Sequence, residues 1–349
     1  MAFTVQLKPS DREFIVARGE TILEAALRFG LSVQFSCTTG TCGRCKARVA
    51  AGTVGEVLHH DYVLSEAEKN NGTILMCRTM IESDMVVEVA EVAGVRDIPH
   101  QELTATVSKL EAIADDIMIL EVRTPRSETL QFMAGQHVTL AVEGAPSRNK
   151  SIASCPCNGM ILQFHVHKTP QDAFAEFVFS KLKLRQQVSV QGPYGQFVLD
   201  EESARPIIFI AYETGFAPIK SVIEHAIALE FGQPMHLYWI AADQKGHYQA
   251  NFCRSWQDAL DDFRFTPLIN DSEKLSAIVD LDPDWSNLAR PQSDLLQAAA
   301  AVVADYPDLG GYDAYLNGPP GIAVAASQLL LHHQLPGDRL FIDQLEQFS

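Results

Sequence analysis

The sequence has few basic residues and no long apolar run. Lys and Arg total 27 against 44 Asp and Glu, which gives a formal net charge of -17. Nucleic-acid binding relies on Lys and Arg that neutralise phosphates, so this balance argues against a nucleic-acid partner. No stretch of about eighteen apolar residues is present, and the N-terminus lacks a basic segment followed by an apolar core. We therefore expect no membrane span, no secretory signal and a cytoplasmic location.

Recognisable hydrolase machinery is also missing. Neither a Ser-His-Asp set nor a pair of carboxylates stands out along the chain, so no catalytic residue is assigned. No internal repeat or low-complexity tract is visible. A length of 349 residues exceeds what one hydrophobic core normally organises, which predicts two or three domains.

Four of the seven cysteines have an informative spacing. Cys37, Cys42 and Cys45 form the pattern C-x4-C-x2-C and are followed at a distance by Cys77, which is the arrangement of plant-type [2Fe-2S] ligands. Zinc is the alternative, but structural zinc usually takes two C-x2-C pairs or adds His, and only Cys42 and Cys45 are so spaced. The sequence therefore predicts an iron-sulfur cluster held by reduced thiolates rather than a disulfide framework.

Small residues lie between the predicted ligands. Gly40 and Gly43 can adopt positive φ and bring backbone amides close to the cysteine sulfurs. Arg44 adds positive charge beside the expected anionic cluster.

Other ligand-type residues have less support. Cys155-Pro156-Cys157 looks like a ligand pair, but no further ligand follows at a recognisable spacing. We interpret Cys155 and Cys157 as small apolar filler, and Cys253 is the third cysteine outside the ligand set. His165 and His167 alternate on a predicted strand, which is more typical of a half-exposed strand face than of metal ligands.

The pattern along the chain predicts three domains. Residues 1–93 read as strand, strand, helix, cysteine loop and further strands, with Thr21 capping the helix and Gly30 ending it. Residues 99–202 show closely spaced strands with one helical insertion, as in an antiparallel barrel. Residues 203–349 alternate strand and helix, as in a parallel-sheet α/β domain.

The cysteine segment SCTTGTCGRC with its distant fourth cysteine resembles a plant-type ferredoxin domain. The segments after it are similar to a ferredoxin-NADP reductase module. Over nearly all of its length the chain resembles the single-chain NAD(P)H reductases that serve oxygenases and the glucoseen reductases of deoxysugar synthesis. This resemblance implies a multidomain α+β and α/β protein: a β-grasp ferredoxin domain, an antiparallel β-barrel flavin-type domain and a parallel-sheet nucleotide-type domain.

The resemblance also implies where a flavin binds. The family motif R-x-Y-S appears as Arg148-Asn149-Lys150-Ser151, which assigns Arg148 to the FAD phosphates and Ser151 to the reactive ring, while Lys150 replaces the aromatic platform. FMAGQHV matches F-x-x-G-Q-Y-V apart from His137. The diphosphate motif G-G-x-F-S/T reads Gln171-Asp172-Ala173-Phe174-Ala175, so a carboxylate lies where the diphosphate is expected, and Asp172 is also the predicted helix cap.

The nicotinamide motifs differ from those of the family in a similar way. G-G-T-G-x-A-P-I is represented by Tyr212-Glu213-Thr214-Gly215-Phe216-Ala217-Pro218-Ile219, which implies cofactor contacts at Thr214, Gly215 and Pro218. C-G-P-P appears as Asn317-Gly318-Pro319-Pro320, which implies contacts at Gly318 and Pro319. Relatives often carry an Arg for a 2′-phosphate where this chain has Ala241 and Ala242, so NADH is favoured over NADPH.

Two functions follow from these observations. The first is an oxidoreductase that moves electrons from NADH through FAD and the [2Fe-2S] cluster to a partner protein, an oxygenase or another iron enzyme. The second is a carrier or docking subunit without flavin or nicotinamide, in which only the cluster is redox-active.

Overall fold

The N-terminal part folds around a mixed sheet of five strands. A computed structural model describes residues 2–92, 94–269, 290–318 and 323–343. The elements of this part are β1 (Phe3–Lys8), β2 (Glu13–Val16), α1 (Ile22–Arg28), β3 (Lys46–Ala51), β4 (Val54–Val57), α2 (Glu66–Asn70), β5 (Thr73–Leu75), β6 (Thr79–Ile81) and β7 (Met85–Val89). The strand order is β2-β1-β7-β3-β5, with β1 and β7 parallel, and β4 pairs with β6 apart from this sheet. This is the predicted β-grasp arrangement.

Helix α1 begins and ends where the sequence predicts. The Thr21 hydroxyl accepts a hydrogen bond from the Glu24 amide, and the Glu24 carboxylate accepts one from the Thr21 amide at 2.9 Å. This reciprocal capping satisfies amides that the first helical turn leaves free. After the helix, Gly30 adopts φ +73° and turns the chain back towards the sheet.

The second part is an antiparallel barrel of six strands. Its elements are β8 (Gln101–Ala112), β9 (Ile117–Arg123), β10 (His137–Ala141), β11 (Arg148–Ser151), β12 (Ile161–His167), α3 (Ala173–Ser180) and β13 (Gln187–Tyr194). The order is β11-β10-β13-β8-β9-β12, and the edge strands β11 and β12 approach each other to bring the barrel near closure. The helical insertion that the sequence predicts is α3, and Asp172 caps it by accepting from the Ala175 amide.

The third part is a parallel sheet with helices on both faces. Its elements are β14 (Ile207–Tyr212), α4 (Phe216–Ala228), β15 (Met235–Ala241), α5 (Ala250–Ala259), β16 (Phe263–Ile269), α6 (Arg290–Asp305), β17 (Asp313–Asn317), α7 (Ala323–His332) and β18 (Leu340–Asp343). The strand order is β16-β15-β14-β17-β18. The chain therefore adds β15 and β16 on one side of β14 and then reverses to add β17 and β18 on the other side. In open sheets of this type, ligands bind at such a reversal, beyond the carboxyl ends of the strands.

Separate apolar cores support the three parts. The first lies between α1 and the mixed sheet, and the second fills the barrel. The third part has one core on each face of its sheet. The domain limits of 1–93, 99–202 and 203–349 stay predictions. None of the helices in the described ranges has the length and apolar character that a bilayer crossing needs.

Candidate iron-sulfur centre and cofactor cleft

The predicted ligand cysteines lie on two segments that meet. Cys37, Cys42 and Cys45 lie between α1 and β3, and Cys77 lies in a single 3-10 turn after β5. The sulfurs of Cys37 and Cys42 are 3.1 Å apart, and the interaction between the thiols of Cys45 and Cys77 lowers the pKa of Cys45 and raises that of Cys77. Among the described residues, no three of these sulfurs lie within 4.8 Å of one another. Four ligands of one tetrahedral zinc ion would lie closer together, so two pairs suit two irons better.

Hydrogen bonds favour thiolates at this loop. The Cys42 amide donates to the Cys37 sulfur at 3.4 Å, and the Arg44 amide donates to the Cys42 sulfur at 3.4 Å. Burial alone would raise the pKa of Cys37, but hydrogen bonds from Thr41 and Cys42 outweigh it and lower that pKa to about 6. The loop therefore stabilises negative charge on the Cys37 sulfur.

Two glycines allow the loop to close. Gly40 and Gly43 adopt φ +77° and +70°, as the sequence predicts. A Cβ at Gly43 would lie 2.3 Å from Cε2 of Tyr62, and one at Gly40 would lie 2.5 Å from Cβ of His60. Only glycine fits both the backbone conformation and the space.

The cysteine loop is joined directly to the barrel. The Thr38 amide donates to the Arg126 carbonyl at 2.9 Å, and the Thr129 amide donates to the Ser36 carbonyl at 2.9 Å. The side chain of Gln131 donates to the Val33 carbonyl at 3.1 Å. These bonds flank Cys37, so the position of the centre is fixed relative to the barrel.

The predicted flavin residues lie together on β11, beside a carboxylate. Arg148 lies 3.4 Å from Asp172, whose other oxygen caps α3. The Lys150 ammonium lies 5.8 Å from the centre of the Phe174 ring. Burial lowers the pKa of Lys150 to about 8, while the charge of Asp172 acts in the opposite direction. The strand thus presents two basic groups that already have partners within the protein.

A buried carboxylate that the sequence did not reveal lies next to Ser151. Asp343 accepts hydrogen bonds from Ser151 at 3.0 Å and from Asn317 at 2.8 Å. Burial raises the pKa of Asp343 to about 6, although these hydrogen bonds act to lower it. His137 Nδ1 lies 4.0 Å from the same carboxylate, and burial lowers its pKa to about 4. The group connects the barrel to the parallel sheet.

The predicted nicotinamide residues meet at the sheet reversal, but the turn there is filled. Thr214, Gly215 and Pro218 lie where β14 passes into α4, and Gly318 follows β17, whereas Pro319 lies outside the described residues. Glu213 is buried with φ +49°, and its carboxylate accepts from the Ala242 amide at 2.8 Å.

The other side of this turn is packed equally tightly against neighbouring residues. The Glu213 carbonyl accepts from the Trp239 indole at 3.0 Å. A Cβ at Gly215 would lie 2.5 Å from Oδ1 of Asn317. A carboxylate therefore occupies the turn at which a dinucleotide phosphate would bind in this type of sheet.

The remaining Cys and His predictions have mixed outcomes. Cys253 is buried in an apolar core. Cys155 and Cys157 are instead joined as a disulfide beside His225, so the interpretation of both as filler without a further ligand nearby is wrong. The sequence concealed this because the histidine lies on α4, far along the chain.

The paired strand histidines differ from each other. His165 is buried and bonded through Nδ1 to the Tyr248 hydroxyl at 2.6 Å, so a half-exposed position is wrong for it. His167 is half-buried and lies 3.2 Å from Asp116. Their partners are different, so they do not act together as ligands.

Comparisons with known proteins agree with this architecture. Residues 5–82 match the 2Fe-2S iron-sulfur cluster binding domain, and residues 104–199 match the oxidoreductase FAD-binding domain. A CDP-6-deoxy-L-threo-D-glycero-4-hexulose-3-dehydrase reductase of Yersinia pestis is 30% identical, with 98% of each chain covered. The chain belongs to the single-chain ferredoxin-NAD(P)H reductase family. It is an electron-transfer oxidoreductase with a [2Fe-2S] domain and an FAD-binding domain.

Other members of this family are similar over the same length. The reductase component of propane 2-monooxygenase from Gordonia sp. strain TY-5 is 28% identical, covering 97% of this chain and 96% of its own. The crystal structure of an Amycolatopsis cytochrome P450 reductase superposes with a TM-score of 0.61 at 27% identity, covering 99% of this chain and 100% of its own. The three-part architecture is thus shared across whole chains.

The tight packing at Gly43 generates a test of the cluster loop. Gly43→Ala should lower cluster content and stability, because it costs about 1–3 kcal/mol of overpacking in addition to the left-handed backbone penalty. Gly72→Ala is the matched control, since Gly72 has φ +74° in the same domain but its nearest potential contact is an ordinary 3.4 Å. Iron per chain and thermal loss of visible absorption measure the effect. Equal losses in both variants would contradict the packing argument.

The buried carboxylate generates a pH-dependent prediction. The pKa of Asp343 rises from an unfolded value of about 3.9 to about 6 on folding, so the folded state holds the proton more tightly and loses stability as pH rises between these values. Asp343→Asn should not show this loss. Its free energy of unfolding, relative to that of the wild type, should therefore rise by about 2 kcal/mol between pH 4.5 and pH 7.5. Urea unfolding at several pH values measures it. The exposed Asp115→Asn is the control, and parallel pH curves for wild type and Asp343→Asn would refute the assignment.

Proposed function

We propose that this chain is a reductase component that passes single electrons to a partner oxygenase or another iron enzyme. Cys37, Cys42, Cys45 and Cys77 hold the [2Fe-2S] cluster in this proposal. The observation that carries it is the set of backbone hydrogen bonds that fixes the cysteine loop to the FAD-type barrel. The names of several relatives, which are reductase components of monooxygenases and dioxygenases, support an oxygenase as the acceptor.

The residues on β11 fit a phosphate-bearing flavin. Arg148 supplies positive charge for the phosphates and Ser151 supplies a hydroxyl near the ring, while Lys150 lies where the family has an aromatic platform. Bound FAD would supply the conversion of a two-electron donor into single electrons. In this arrangement Arg148 has to exchange its contact with Asp172 for the cofactor, and Asp343 orients the Ser151 hydroxyl.

The nicotinamide side fits less well, which supports a second candidate function. Glu213 satisfies the Ala242 amide with its own carboxylate, and this negative charge repels a dinucleotide phosphate. The alternative is a carrier that receives electrons from another protein and passes them on through the cluster alone.

Composition and electron delivery separate the two candidates. A reductase should purify with two irons and one FAD per chain, and should reduce ferricyanide and cytochrome c with NADH. Cys77→Ser should lose the cluster and the cytochrome c activity but keep the ferricyanide activity, while Cys155→Ser and Cys253→Ser should keep the cluster. Iron-sulfur absorption without FAD would favour the carrier. Zinc without acid-labile sulfide would contradict both functions.

The contact between Arg148 and Asp172 gives a further test. Asp172→Asn keeps a good helix cap but removes the carboxylate that competes for Arg148, so FAD should bind about tenfold more tightly. Glu176→Gln removes a charge from the exposed face of the same helix and serves as the control. Fluorescence titration of flavin-depleted protein with FAD measures both. An unchanged affinity, or an equal gain in the control, would show that Asp172 does not compete with the cofactor.

A further inference from the structure

A cysteine pair and a histidine meet where the three domains join. One potential ligand atom from each of Cys155, Cys157 and His225 lies within 4.8 Å of the other two, with the two sulfurs joined as a disulfide. Within the described ranges, this is the one set of three Cys, His or carboxylate ligands with that spacing. The cysteines are half-buried and His225 is 3% exposed.

The histidine has the hydrogen-bonding pattern of a metal ligand. Its Nε2 lies 3.1 Å from a carboxylate oxygen of Glu201, whereas its Nδ1 is buried without a hydrogen-bond partner. Buried polar atoms are normally paired, so an unpaired ring nitrogen requires an explanation. Ligating histidines usually place their second nitrogen on a carboxylate, which fixes the ring and its tautomer. His225 therefore has its supporting carboxylate in place and a nitrogen available.

The cysteine turn is held against the helix that carries His225. Ser221 donates to the Ser154 carbonyl at 2.7 Å, and Lys220 donates to the Ala153 carbonyl at 3.1 Å. The Cys155 amide donates to Glu224 at 3.3 Å. These contacts come from successive turns of α4, so the turn and the histidine keep a fixed relation. Such preorganisation is what a small three-ligand site requires.

We propose that Cys155, Cys157 and His225 form a zinc site separate from the iron-sulfur centre. Thiolate and imidazole are the preferred ligands of zinc, and three protein ligands leave one position for water. Two thiolates neutralise one divalent ion, which suits a poorly solvated position better than a monovalent ion that would leave net negative charge.

The site requires the reduced form of the cysteine pair. Reduction of the disulfide by a phosphine consumes one water and yields two thiols and a phosphine oxide. Zinc then replaces the two thiol protons, so ion binding itself transfers no electrons.

Bound zinc would join parts of the chain that are distant in sequence. It would bridge the barrel turn to α4, and Glu201 extends the connection because its second oxygen lies 2.7 Å from Arg12 of the ferredoxin domain. The ion would thus stabilise the junction on which all three domains meet. This inference does not depend on whether FAD or NADH binds.

Zinc competition against a chromophoric chelator tests the site in the full cluster-loaded chain, after anaerobic phosphine reduction and a thiol count. Wild type should take up one zinc per chain with no loss of iron. Cys155→Ser and His225→Gln should each lose tight binding, and Glu201→Gln should weaken it about 10–100-fold. Cys253→Ser is the control with a buried cysteine elsewhere, and it should bind like wild type.

The wild-type titration is decisive even if a variant folds poorly. Absence of zinc uptake with the thiols shown to be free would overturn the proposal. Iron release in step with zinc uptake would also overturn it, because zinc would then be replacing the cluster. An equal loss of affinity in Cys253→Ser would show that the effect is not local to this site.

Discussion

The negative charge of the iron-sulfur centre is the constraint on which the ferredoxin domain depends. Thiolates that are partly removed from water need nearby donors, and the loop supplies backbone amides rather than many cationic side chains. Amides reach the sulfurs only if the chain turns tightly, which requires positive φ at Gly40 and Gly43. Those glycines in turn leave room for Tyr62 and His60 to cover the loop. The same two glycines thus allow both the amide donors to reach the sulfurs and the covering side chains to pack.

Competition for hydrogen-bond donors also governs the altered cofactor cleft. Asp172 and Glu213 place carboxylates where family motifs have glycine, and both carboxylates are satisfied by groups within the chain. Asp172 caps a helix and contacts Arg148, while Glu213 accepts a hydrogen bond from the Ala242 amide just after β15. An internal carboxylate and a ligand phosphate would compete for similar donors. Whether a phosphate can displace the carboxylate at each position depends on how readily the carboxylate gives up its partner. Glu213 is the harder of the two to displace, because it is buried and accepts hydrogen bonds through both its carboxylate and its carbonyl.

Much of the fold follows from local patterns in the sequence. The hairpin of β1 and β2, the capping box at Thr21 and the alternating barrel strands depend on neighbouring residues, so they were predictable. The cysteine spacing was predictable for the same reason. Asp343 and His225 were not, because their roles depend on partners that lie far away in the chain and on burial that only the tertiary structure creates. The family resemblance identified Ser151 but not the acid that holds it.

The position of the cysteine loop carries the strongest link between structure and function. The hydrogen bonds around Cys37 connect the cysteine loop to the barrel independently of the carboxylates in the cofactor cleft. Thr38 and Thr129 contribute both backbone amides and hydroxyls to this contact, so replacing either side chain would remove its hydroxyl bond but keep its amide bond. The amide bonds of this junction can persist while cofactor motifs change. The chain can therefore retain a fixed route between barrel and cluster even where its nicotinamide turn is filled by its own carboxylate.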